Sequence, residues 1–218
     1  MQREATVQGE VHAAETDTQA LLRRGLDGYD AVVVEGRSPT LVVRDLTLGY
    51  ATFLMGYVSL MWVQAAVSRL RGRLGKRTSL KRAAESAGVA YHDRIDADTA
   101  AVYEMAPRWG RWLLGTWLAS LLAFSILVGV SRPVLVLFSL SIPQLYTTLT
   151  VVIIGLSGRS RAVYMAESIT QLAEDQAYER VAVVCGDAHR EAIGEALRAR
   201  EWVVETYKSR HPLRRLLS

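Results

Sequence analysis

The chain has four histidines, and two of them share a setting. His12 and His189 each stand three residues after a glycine, in Gly9-Glu10-Val11-His12 and Gly186-Asp187-Ala188-His189. Each glycine closes a β-type run, and a helix pattern follows each histidine. A glycine there lets the backbone turn sharply and bring the imidazole over a sheet edge. Glu35 ends a third apolar run, AVVVE. Two imidazoles and one carboxylate suit a borderline divalent metal: zinc, manganese or cobalt. Such a metal lowers the pKa of a bound water and supplies hydroxide near neutral pH. Glu35 would be a ligand or the general base. An arginine nearby would hold a substrate carboxylate or a developing oxyanion. The plain alternative is two loop-capping histidines and a solvated strand end. His92 and His211 lie in polar surroundings and repeat nothing.

These residues need elements to position them. A short strand is expected at about 5–8, a helix at about 15–26 (ETDTQALLRRGL) and a buried strand at AVVVE. After Leu156 a helix pattern covers roughly 161–177, then a strand (ERVAVVC), a helix (REAIGEALRAR) and a strand (WVVETY). The unit strand, Gly-x-x-His, helix, strand thus occurs at about 5–35 and again at about 179–207. Alternation of this kind predicts an α/β sheet. Ligands of open α/β sheets bind beyond the carboxyl ends of the strands, where both histidines fall.

Composition limits the other readings. With 218 residues, 50% hydrophobic and 22% charged, the chain is not disordered. A net charge of +4 is mild, and much of the excess flanks apolar runs, so no nucleic-acid partner is expected. The single cysteine, Cys185, excludes an internal disulfide and a cysteine-based zinc cluster. The opening MQREATVQGE has no apolar stretch, so no cleavable signal peptide is expected.

Three runs carry no charge: Leu46 to Val67, Trp112 to Ser131 and Pro133 to Leu156. Each is long enough for a hydrocarbon core of ~30 Å. The last two, separated by Arg132, with Trp112 and Trp117 near the start of the former as interfacial anchors, are expected to form a transmembrane hairpin over 112–156. Leu46–Val67, rich in Gly, Thr and Tyr, is expected to pack on the sheet or at the interface. Only an even number of crossings leaves His12, Glu35, Arg161 and His189 on one side. Basic flanks (Arg69, Arg71, Arg73, Lys76, Arg108, Arg111, Arg159, Arg161) then put the polar parts in the cytoplasm. The expected fold is a small α/β sheet domain of two strand–Gly-x-x-His–helix–strand units with an inserted transmembrane helical hairpin. Residues 1–111 and 157–218 form its two halves, and 46–67 is an apolar helix of the first.

The order of these features resembles the TraB/PrgY/Tiki family, related more distantly to erythromycin esterases. The match runs through Gly9-Glu10-Val11-His12, Val34-Glu35, Asp93-Arg94-Ile95, Arg161 four residues before Met165-Ala166, and Gly186-Asp187-Ala188-His189. The resemblance implies a metal-dependent hydrolase acting on peptides, of the kind described as peptide-pheromone shutdown proteins and membrane-anchored metalloproteases. It implies that His12 and His189 bind a divalent metal and that Glu35 ligates or acts as base. Arg161 would orient substrate or stabilise charge, with Asp93 and Arg94 in support. Glu10, Ala14, Ala162 and Ala192 stand where the family carries Thr, Ser, Asn or Asp, and Gly.

The expected function is therefore a membrane-anchored, peptidase-like hydrolase with its soluble part in the cytoplasm. Its partners would be a peptide or small-molecule substrate and the lipid bilayer, and a homo-oligomer is left open. The alternatives are a non-catalytic membrane regulator that binds a peptide or signal, and a lipid-surface protein using the basic segment 68–82.

Overall fold

A computed structural model of the chain describes residues 2–10, 15–36, 46–70, 76–127 and 132–209. It forms two compact units, one of Met1–Ser38, Arg73–Ala97 and Arg159–Ser218, the other of Pro39–Gly72 and Asp98–Gly158. The first is a sheet unit. It holds β1 (Glu4–Glu10), α1 (Glu15–Arg24), β2 (Ala31–Val34), α3 (Lys76–Ser86), β3 (Ala90–Asp93), α7 (Gly158–Asp175), β4 (Arg180–Gly186), α8 (Asp187–Arg198) and β5 (Val203–Tyr207). The second is helical, with α2 (Leu48–Leu70), α4 (Thr99–Met105), α5 (Arg108–Leu127) and α6 (Arg132–Leu156).

The five strands are all parallel, in the order β3-β2-β4-β1-β5. A central parallel strand is covered on both faces, so it must be apolar throughout. AVVV of β2 and VAVVC of β4 meet that demand and are fully buried. Alternate residues feed two cores. Val7, Val33, Val183 and Cys185 pack with Met165 and Ile169 of α7 and Ile193 and Leu197 of α8. Val32, Val34, Ala182 and Val184 pack on the other side with Leu21 of α1 and Leu80 and Ala84 of α3.

Parallel neighbours need long crossovers, which right-handed helical connections supply. The connection from β1 runs through α1 to β2, past β4, and the connection from β4 runs through α8 to β5, past β1. Since α1 and α8 cover opposite faces, the chain leaves these two adjacent strands in opposite directions. That divergence makes the β1/β4 carboxyl edge a topological switch point, where open α/β sheets bind ligands.

In the helical unit α2 packs against α5 and α6. Tyr50, Phe53, Tyr57 and Tyr103 form its aromatic centre. Gly56 sits where a methyl group would overlap Thr150 Oγ1 and the Tyr146 carbonyl, so α2 and α6 touch backbone to backbone. Thr52 Oγ1 donates to the Leu48 and Leu114 carbonyls, and Thr150 Oγ1 to the Phe53 carbonyl.

The structure corrects the membrane assignment. Among the described residues no helix is long and apolar enough to cross a membrane. The transmembrane hairpin expected at 112–156 is replaced by α5 and α6 of the helical unit. The physical reason is that an uncharged run does not say what buries it. Here α5 and α6 pack with α2, Leu114, Tyr146, Thr150 and Ile153 are buried, and α5 starts earlier than expected, taking in Arg108 and Arg111. Most of Leu46–Val67, expected on the sheet or at the interface, falls in α2, which packs with α5 and α6. Without a crossing helix the basic flanks assign no side, so the multi-pass, cytoplasm-facing topology falls with the hairpin.

Candidate functional site

The carboxyl edge of the sheet gathers residues from four elements. β1 and β4 pair in register to their ends, with Gly9 opposite Cys185 and Glu10 opposite Gly186. The two Gly-x-x-His segments therefore start side by side. Glu35 follows β2 directly, on the other flank of β4. His189 lies in the first turn of α8, because Gly186 is that helix's N-cap.

Gly9 and Gly186 do not serve the sharp turn expected of them. Neither has a positive φ; among the described glycines only Gly25 and Gly88 do. Gly9 is needed for close approach. A methyl group there would overlap Asp187 Oδ1 and lie 3.1 Å from both Arg190 Cδ and Asp187 Cα. The missing side chain lets the first turn of α8 sit against the end of β1.

A buried charge network occupies the site. Arg161, on the sheet-facing side of α7, donates through Nε to Asp96 Oδ1 (3.1 Å) and through Nη2 to Asp96 Oδ2 (2.5 Å). This fork is the strong, planar form of an arginine–carboxylate pair. Nη2 also donates to Glu35 Oε1 (3.2 Å). The Gly186 N–H donates to Glu35 Oε2 (2.6 Å). His189 Nε2 stands 3.8 Å from Glu35 Oε1, its side chain 18% exposed. The side chains of Arg161 and Asp96 are 2% and 1% exposed. Ionised groups so deeply buried must be paired. Two carboxylates against one guanidinium leave the cluster one formal negative charge.

The Cys185 thiol beneath the site senses that charge. Burial pushes its pKa well above the ordinary value, the Glu35 and Glu10 carboxylates raise it further, Arg190 opposes them, and Asp187 adds to the rise.

Of the expected site residues, Glu35, Arg161 and His189 come together. His12 lies outside the described residues, on the segment that leaves Glu10. Asp93 and Arg94 do not join. They are more than half exposed and pair with each other at 3.8 Å. Arg94 takes a left-handed backbone (φ 70), uncommon for a non-glycine residue, so the chain turns as it leaves β3. Past that turn it is Asp96 that reaches Arg161. Its only sequence signal is a carboxylate three residues after Asp93.

A second polar group borders the site. Ser209, beyond β5, donates through Oγ to the buried Asp17 Oδ2 of α1 (2.5 Å) and through its N–H to Asp187 Oδ1 (2.9 Å). The same Asp187 oxygen faces Arg190 Nε at 3.4 Å. The chain after β5 is thereby tied to the first turn of α8.

Among the described residues no group of three His, Cys, Asp or Glu side chains is arranged to hold a metal ion. Two donors do have suitable chemistry. Ligands at ~2.1 Å on a tetrahedral metal stand roughly 3.4 Å apart. His189 Nε2 and Glu35 Oε1, at 3.8 Å, are close to that spacing. Oε1 also accepts from Arg161 Nη2, so the described residues supply two candidate donors and no third.

Comparison of the chain with family models, curated proteins and solved structures gives no match. The case for any function therefore rests on the geometry of this sheet edge and on the residue pattern.

Proposed function

We propose that the sheet unit is a metal-dependent hydrolase domain of the TraB type, acting on peptide bonds. One observation supports this reading most. Glu35, bonded to the Gly186 N–H, faces His189 at the switch point between the two Gly-x-x-His strands. His189 Nε2 and Glu35 Oε1 would be two of the ligands, and the residue pattern offers His12 as a third. A divalent metal bound there supplies an activated water near neutral pH. The protein's own groups set up the rest. The Gly186 N–H fixes the Glu35 carboxylate through Oε2 and leaves Oε1 toward His189. Arg161 balances the carboxylate charge and, being committed to Asp96 and Glu35, acts from behind the site.

Metal analysis of the purified full chain tests the reading. Wild type dialysed against zinc, manganese or cobalt is expected to retain one of them near one equivalent. His12→Ala and His189→Ala should each lose it. A wild-type chain that retains none of the three overturns the proposal.

One observation favours a second reading. Both Glu35 oxygens already accept hydrogen bonds, as in a site that binds without turning over. A non-catalytic module that binds a peptide or signal would keep peptide binding in His189→Ala; the hydrolase would lose turnover.

A further inference from the structure

We infer that Asp96 is a positioning residue of this site: it occupies the Arg161 fork, so that Glu35 meets the arginine with Oε1 alone and gives Oε2 to the Gly186 N–H. The inference rests on the reading of Glu35 and His189 as metal ligands. It adds a residue that the pattern of histidines does not contain.

Two carboxylates compete for one guanidinium. Arg161 has two buried carboxylates within reach, and a guanidinium prefers a bidentate partner. Asp96 has that place, with contacts of 3.1 and 2.5 Å, while Glu35 has a single contact of 3.2 Å. Because Glu35 gives only Oε1 to the arginine, Oε2 can accept the Gly186 N–H at 2.6 Å. That bond joins the end of β2 to the N-cap of α8, one turn before His189. Asp96 is held in turn by its own backbone. Its N–H donates to the Gly36 carbonyl (3.3 Å), and its Oδ1 accepts the Ala97 N–H (2.9 Å). It is thereby hydrogen-bonded to the residue after Glu35.

Without the Asp96 charge, Arg161 keeps one buried counterion. It should then draw Glu35 into the fork, because an unpaired buried cation is costly. Both Glu35 oxygens would turn to the arginine, the Gly186 N–H would lose its acceptor, and Oε1 would leave His189.

The experiment compares the full-length wild type with Asp96→Asn and the double variant Asp96→Asn/Arg161→Gln. Two quantities are read: hydrogen exchange of the Gly186 amide, and cobalt affinity from the visible spectrum of the bound ion. Wild type should protect Gly186. Asp96→Asn should speed its exchange at least tenfold and weaken cobalt binding by about 10–100-fold, as losses behind a metal ligand do. The double variant lacks the competing guanidinium and should regain Gly186 protection. The inference is overturned if Asp96→Asn leaves Gly186 exchange at the wild-type rate. It is also overturned if the double variant shows the same loss as the single, whether of Gly186 protection or of the fold. A wild type that binds no cobalt refutes the metal reading alone, since Gly186 exchange still decides the role of Asp96.

Discussion

Replacing Gly9 by alanine puts one methyl group where β1 and the first turn of α8 meet. The new Cβ would overlap Asp187 Oδ1 and press at 3.1 Å on Asp187 Cα and Arg190 Cδ. Forcing a methyl into a packed site costs about 1–3 kcal/mol. The carboxylate cannot simply swing aside, because the same oxygen accepts the Ser209 N–H at 2.9 Å and faces Arg190. Losing that hydrogen bond adds about 1 kcal/mol. Gly9→Ala should therefore destabilise the protein by about 2–4 kcal/mol. Urea unfolding followed by circular dichroism measures this. Gly28→Ala is the control, since a methyl there meets nothing within 4 Å. Combining Gly9→Ala with Asp187→Ala removes the overlapped oxygen, so the pair should cost less than the sum of the singles. A Gly9→Ala midpoint equal to that of Gly28→Ala would refute the close-approach account of the glycine.

Arg161→Met leaves Asp96 and Glu35 buried without their counterion and should cost about 3–5 kcal/mol near neutral pH, read by thermal unfolding. Cys185 has a pKa raised by burial, so above about pH 9 the unfolded thiol loses its proton while the folded one keeps it. The native state then binds more protons, and stability must fall as pH rises past that point. Urea midpoints taken from about pH 8 to about pH 10 should drop more steeply for wild type than for Cys185→Ala. In the helical unit, Gly56→Ala should destabilise by overlap with Thr150 and Tyr146, whereas Gly155→Ala, open around its Cβ, should stabilise by up to about 1 kcal/mol through helix propensity. Equal effects of these two substitutions on thermal unfolding would contradict the backbone contact of α2 with α6.

Much of the sheet unit was legible in the sequence because periodicity reports burial. AVVV and VAVVC read as buried strands since each residue faces one core or the other. The patterns expected at 15–26 and 161–177 correspond to α1 and α7. β3 was not legible. Ala90, Tyr91 and His92 are half-buried at the sheet edge, Asp93 is exposed, and the four carry no apolar signature. The runs 112–131 and 133–156 were read as membrane helices because hydropathy is blind to the partner, and only packing supplied α2 as the partner of α5 and α6.

Residue types and order alone placed Gly9, Gly186 and Glu35 at strand ends and His189 just past one. Tertiary structure decided the rest. Register is a property of two strands together, and it set Gly9 beside Cys185 and Glu10 beside Gly186. Strand order placed β2 next to β4, which brought Glu35 to the Gly186 N–H. The left-handed turn at Arg94 passed over the Asp93–Arg94 pair and delivered Asp96 to Arg161. A buried guanidinium takes whichever carboxylates the fold brings within reach, and spacing along a chain does not encode that distance in space.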